Sequence, residues 1–208
     1  MTLRETNERR KGTYIMHAQK LILAAAALLA SAATLGATAS PASAQTFRAE
    51  VHGGWDRLTN DVREDGIVYG VGVGADFRVG RSLTAGIEAN ADFSNIDQCE
   101  TGAIAAGDEL CVAARRDLSA VARLGVNVSP NAQVYALAGY TNGRFRIDYD
   151  PANGPATRTT QNLDGLRAGA GVQLGFGHGL YSKLEYRYSN YEAGAERHQV
   201  IAGLGIAF

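Results

Sequence analysis

Charged residues of both signs recur at alternate positions of this sequence: Arg48 and Glu50, Asp76, Glu88 and Asp92, Arg123, Arg167, then Lys183, Glu185 and Arg187. Such groups either exchange protons with a substrate or neutralise one another. Glu88 and Asp92 stand four residues apart on one face of a strand, a spacing with no special claim to acid–base catalysis. A buried charge left alone costs several kcal/mol, so buried charges are paired and hydrogen-bonded. Arg48, Glu50, Glu88, Arg123, Arg167, Glu185 and Arg187 nearly balance in sign. They read as an ion-pair network that fills an interior, in which Arg123 neutralises a carboxylate.

Other chemistry-bearing residues are sparse. The histidines are His17, His52, His178 and His198. Gly70-Val71-Gly72-Val73-Gly74 lacks the Gly-x-Gly-x-x-Gly spacing of a nucleotide loop, and no helix pattern follows it. Cys99 and Cys111 form an even pair, without a Cys-x-x-Cys spacing or a nearby His to suggest a metal site. In an exported chain they read as a disulfide. No catalytic, cofactor-binding or metal-ligating residue is assigned, no cofactor is expected, and the protein is read as a non-enzyme.

The N-terminus indicates export. Lys20 precedes an apolar run over residues 21–35, and Pro41-Ala42-Ser43-Ala44 supplies an Ala-x-Ala end. These are the parts of a secretory signal peptide, with cleavage expected after Ala44. Residues 2–15 are too polar for a short basic leader, so the start is placed at Met16. Residues 1–44 are then a signal peptide that starts at Met16, preceded by a mis-assigned N-terminal extension, and residues 45–208 form the mature domain. That domain has fifteen basic and nineteen acidic residues, a net charge of −4. This argues against nucleic acid, which needs a concentrated basic face.

Mean hydropathy of −0.13 and 20% charged residues look like a soluble protein. The local pattern says otherwise. Almost the whole mature domain alternates with period two, as strands do when their two faces meet different environments. Leu83, Ala85, Ile87, Ala89, Ala91 and Phe93 alternate with Thr84, Gly86, Glu88, Asn90 and Asp92. Leu118, Ala120, Ala122 and Leu124 alternate with Ser119 and Arg123, and Leu166, Ala168, Ala170 and Val172 with Arg167, Gly169 and Gly171. Eight such segments occur. In the fifth, residues 132–149, Val134 to Tyr140 suggest one phase and Phe145, Ile147 and Tyr149 the other. A bulge near Asn142-Gly143 is expected to switch it. Connections alternate in length, long near residues 57–65, 95–116, 150–161 and 190–196, short near 78–81, 129–131 and 177–179. Short turns at one end and long loops at the other are the habit of outer-membrane barrels. The fold expected is all-β: one eight-stranded antiparallel up-and-down transmembrane β-barrel.

Tyr186-Arg187-Tyr188 and the terminal Gly203-Leu204-Gly205-Ile206-Ala207-Phe208 resemble the small opacity-type porins and the OmpA-like transmembrane domain. The resemblance covers nearly all of residues 45–208. It implies an outer-membrane location and makes Phe208 part of the signal that the barrel-assembly machinery reads. No segment resembling a peptidoglycan-binding domain follows the last strand. The His-x-Ser pattern of lipid A deacylases occurs at none of the four histidines. The function expected is a structural and interaction protein whose barrel anchors four surface loops. Its expected partners are outer-membrane lipid and lipopolysaccharide, the assembly machinery, and a surface or host ligand at the loops. A small-solute pore and a lipid-modifying enzyme are the alternatives.

Overall fold

The computed structural model describes residues 45–59, 63–102 and 104–208. The leader, Met16 and the Ala44 junction lie outside the described residues. The strands are β1 (Gln45–Thr59), β2 (Arg63–Val79), β3 (Leu83–Ser94), β4 (Asp97–Thr101), β5 (Glu109–Ser129), β6 (Ala132–Asp150), β7 (Thr157–Gly177), β8 (Leu180–Tyr191) and β9 (Glu196–Ala207). All pairings are antiparallel, in the order β3-β2-β1-β9-β8-β7-β6-β5, and a β3–β5 pairing closes the ring. The ring therefore has eight staves. The ninth strand, β4, prolongs the β3 wall beside the upper half of β5.

Period-two alternation decides which face each side chain meets. Outward positions stay exposed although they are apolar: Leu166 is 72% accessible, and Ile87 and Leu204 are each 63%. Inward positions are buried although they are charged, with Arg167 at 2% and Asp92 at 0%. A water-soluble barrel would reverse this. A continuous apolar exterior over a polar interior is the arrangement that lipid demands, since closure pairs every backbone group. Aromatics ring the apolar band. Trp55, Tyr69, Phe93, Tyr140 and Tyr186 lie toward the long-loop end, and Phe47, Phe77, Phe176 and Phe208 at the short-turn end. From Phe47 to Trp55 the chain rises about 26 Å at about 3.3 Å per residue. Strand tilt reduces that to about 20 Å along the barrel axis, somewhat below the usual apolar height of about 25 Å.

Three expectations need correction. The segment at residues 95–116 is not an irregular loop, because Asp97–Thr101 pairs with β5 to form a hairpin. The first long connection is likewise mostly strand and the third is half strand, with pairing that continues to Thr59–Arg63 and Tyr149–Thr157. Hydrophobic alternation fades where both faces are wet, but the backbone ladder continues.

The third correction concerns β6, which has no phase switch. Tyr135, Leu137, Thr141 and Phe145 are all buried on the same inward face. The bulge lies in the partner strand instead, where Arg115 is the extra residue between Ala114 and Arg116. Phe145 mimicked a lipid-facing residue because it is inward and apolar. It packs with Ile96 and Ala114 in a small cluster that Leu58 and Leu163 border.

Candidate functional site

The lumen is the candidate site. Inward glycines leave room for long side chains: a Cβ at Gly74 would stand 2.8 Å from Arg48 Nη2, and one at Gly171 would stand 2.6 Å from the Tyr135 hydroxyl. The space is filled by six cations (Arg48, Arg123, Arg167, Lys183, Arg187, Arg197) and seven carboxylates (Glu50, Asp56, Asp76, Glu88, Asp92, Asp117, Glu185), all buried.

The network begins near the short-turn end. Arg48 grips Asp76 with two hydrogen bonds, Nε–Oδ2 at 2.7 Å and Nη2–Oδ1 at 3.2 Å. It also donates to Glu88 Oε2 at 3.0 Å. Lys183 pairs with Glu50 and stands 3.5 Å from Glu185 and 3.6 Å from Glu88. The hydroxyls of Tyr181 and Tyr135 donate to Glu50 at 2.9 Å and Glu185 at 2.6 Å.

In the middle, Asp92 is the meeting point. It accepts from Arg187 Nη1 at 3.1 Å and Arg167 Nη1 at 3.2 Å, and its Oδ1 lies 2.6 Å from His52 Nε2. Arg187 also binds Glu185. Toward the loops, Asp117 accepts from Arg167 Nη2 at 2.6 Å, Arg197 Nη1 at 2.9 Å, and the hydroxyls of Thr141 and Tyr191. Arg197 also holds Asp56 through Nε at 2.8 Å and Nη2 at 2.5 Å. Above this layer sits the Ile96–Ala114–Phe145 cluster, with Phe145 edge-on to Tyr191 at 5.7 Å.

A closed ring of eight staves with lipid-facing apolar residues and a charged lumen defines a fold class. The family described as outer membrane protein beta-barrel domain matches residues 24–208. The chain belongs to this family. Solved structures share the fold of this outer-membrane barrel. The attachment invasion locus protein Ail of Yersinia pestis, in complex with the heparin analogue sucrose octasulfate, matches with a TM-score of 0.56 at 14% identity. That match covers 79% of this chain and 99% of Ail. A second Ail structure gives 0.57 at 12% identity, covering 80% and 99%. A major outer membrane protein from Thermus thermophilus gives 0.52 at 13%, covering 79% and 100%. At these identities the likeness is one of fold. No curated protein matches the sequence.

Within this outer-membrane barrel, Arg48, Glu50, Glu88, Arg167, Glu185 and Arg187 all lie in one connected network. Arg123 is buried with them but is held differently. Its Nη2 donates to the amide oxygens of Gln133 and Gln173, both at 2.8 Å, and its guanidinium carbon lies 3.5 Å from the Tyr135 ring centroid. Glu88 is 3.7 Å away and keeps its closer bond to Arg48. Asp56, Asp117 and Arg197 also belong to the charge network, although their sequence surroundings do not single them out. Asp117 and Arg197 keep the phase of Ser119 and Gln199, but they border segments read as loop.

Cys99 and Cys111 are bonded to each other across the β4–β5 pair, outside the lumen. Phe208 is strand-paired with Phe47 by two backbone hydrogen bonds of 2.8 and 2.9 Å, and their rings stack at 6.3 Å. His198 is an outward residue whose Nδ1 lies 2.7 Å from the Tyr186 hydroxyl. His52 meets carboxylates, and neither of these histidines has a serine among its described hydrogen-bond partners.

Proposed function

We propose that this protein is a structural and interaction component of the outer membrane, a barrel closed to ions whose long-loop end makes surface contacts. One observation carries the reading: side chains from opposite walls meet across the whole lumen. Arg187 on β8 reaches Asp92 on β3, and Arg197 on β9 reaches Asp117 on β5. An eight-stranded barrel is just wide enough for side chains to fill it, and this one is filled by paired charges.

The short-turn end faces the periplasm and the long-loop end faces outward, as is usual for such barrels. Export uses the segment from Met16 to Ala44 as a leader that is cut after Ala44, and assembly uses Phe208 as a recognition residue. Outer-membrane lipid and lipopolysaccharide surround the wall, and a surface or host ligand meets the loops. Ail, which shares the fold, was solved with a heparin analogue, which makes a sulfated polysaccharide a sensible first probe of those loops. The proposed role includes no catalysis and no cofactor.

Planar-bilayer recording tests the closed lumen. The expected result is an absence of steady conductance steps at moderate voltage. Steady conduction would overturn the plug and move the small-solute pore ahead. Lipid A mass spectra from a deletion strain and its parent are expected to coincide; a difference would support the lipid-modifying alternative.

A further inference from the structure

The outer wall carries a basic cluster that the lumen does not explain. Arg116 on β5 is directly opposite Arg144 on β6, at the bulge where Arg115 is the extra residue. Arg146 lies two residues farther along β6 on the same outward face. Like charges placed directly opposite on a sheet repel. No carboxylate relieves them among their described partners: Arg116 Nη2 donates to Asn142 Oδ1 at 3.3 Å, and Arg144 Nε to Asn162 Oδ1 at 3.2 Å. Nε of Arg116 and Nε of Arg146 are buried and have no hydrogen-bond partner among the described residues. The nearest outward carboxylates on β6 and β7 are engaged elsewhere. Asp148 pairs with Arg158, and Asp164 accepts from Tyr140 and Asn142.

The height of the cluster identifies its counter-ion. Arg116 pairs in register with Phe93, and Phe93 with Tyr69, so Arg116 borders the upper aromatic girdle, and Arg144 opposite it and Arg146 two residues on continue toward the loop end. Just below lie lipid-facing Leu118, Tyr140 and Leu166. Aromatics of this kind mark headgroup depth. A soluble polyanion would have to displace the headgroups to reach this row, whereas a membrane lipid already stands there. Guanidinium groups bind phosphate in bidentate fashion.

We infer that Arg116, Arg144 and Arg146 form a binding site for the phosphate groups of the outer-leaflet glycolipid. The bulge supplies the local geometry, because two residues facing one crowd cations that a regular ladder would space apart. The inference rests on the proposal that the long-loop end faces outward.

Native mass spectrometry of the full barrel in detergent micelles tests it. The probes are bisphosphorylated lipid A, lipid A stripped of phosphate, inorganic phosphate and a sulfated polysaccharide. Wild-type protein is expected to retain the bisphosphorylated form about tenfold or more over the stripped form, in line with one or more charge-assisted hydrogen bonds. The R116Q/R144Q/R146Q variant is expected to lose that preference, and Arg158→Gln to keep it. Heat-modifiable gel mobility checks folding. If the triple variant does not fold, exposed Arg144→Gln alone is expected to reduce the preference. Three results would overturn the site: no preference in wild type, full preference in the folded variants, or displacement by inorganic phosphate or polysaccharide at equal concentration. Binding in micelles does not depend on orientation. Labelling an Ala152→Cys variant with an impermeant maleimide on intact cells tests the orientation separately, so the two failures are distinguishable.

Discussion

Arg187 Nη1 lies 3.1 Å from Asp92 Oδ2, and the strands that carry them, β8 and β3, are four staves apart in a ring of eight. This contact therefore spans a full diameter of the barrel. Arg197 on β9 and Asp117 on β5 span another at 2.9 Å. A cross-lumen ion pair ties opposite walls together and occupies the space an ion would use.

Removing Arg187 leaves Asp92 and Glu185 short of their principal cation in a buried site. Arg187→Ala is expected to cost about 3–5 kcal/mol, the usual penalty for stranding a buried partner. Arg123→Ala is expected to cost less, because its hydrogen bonds go to two glutamine amides and Glu88 keeps Arg48. Urea unfolding in lipid vesicles checks the order of the two. An Arg123 variant as unstable as the Arg187 variant would contradict it.

Conductance should follow the same contacts. The Arg187→Ala and Arg197→Ala barrels are expected to leak ions in planar bilayers, since each loses a bridge across the lumen. Leu124→Ala removes a lipid-facing side chain that is 57% accessible, and is expected to leave conductance at the wild-type level. A leak from Leu124→Ala would show that current passes somewhere other than the lumen.

The Cys99–Cys111 bond fastens β4 to β5 beyond the end of β3. Both cysteines are expected to resist alkylation until reduced. A Cys99→Ser/Cys111→Ser double variant is expected to speed amide exchange in β4 while the exchange of β3 and β8 stays unchanged. The barrel itself depends on closed strand pairing, not on this bond. Equal loosening of the whole barrel would show that the hairpin does more than extend one wall.

Phe208 contributes two backbone hydrogen bonds and a stacked ring to Phe47, next to the seam between β1 and β9. Deleting it is expected to slow assembly, measured as a longer half-time for appearance of the heat-modifiable form in cells. Phe208→Tyr keeps the backbone and the stack, and is expected to assemble at close to the wild-type rate. An unchanged rate on deletion would remove Phe208 from the assembly signal.

Beyond the upper girdle, Arg57 donates to Asp65 through Nε at 2.7 Å and Nη2 at 3.0 Å. That hydrogen bonding holds the Asp65 carboxyl below its ordinary value. A depressed carboxyl adds stability above its unfolded pKa, about 3.9, and loses it as pH falls through the folded value. The pair is solvent-exposed, so the contribution is small. An NMR titration is expected to place the Asp65 midpoint below the usual aspartate range, and Arg57→Gln to return it there. A normal midpoint in wild type would show that the pair does not persist in solution.

The period-two pattern determined the number of staves and the inward face of Arg48, Glu88, Arg167 and Arg187, and the alternation of short and long connections determined their up-and-down order. Each of those follows from local chemistry, because a strand between lipid and a filled lumen must alternate residue by residue. Phe145 shows where that logic stops. Its apolar side chain faces inward because a small apolar cluster caps the charges, and period two cannot distinguish an apolar lid from a lipid-facing wall. Where both faces are wet, as in the β4–β5 hairpin and the upper β6–β7 ladder, the side-chain signal vanishes although the backbone keeps pairing. The partners were decided only by closure of the ring. Asp117 is next to Leu118 in the sequence, but its four donors come from β6, β7, β8 and β9. Contacts across a barrel depend on strand register and stagger around the whole circle. No local pattern carries that information.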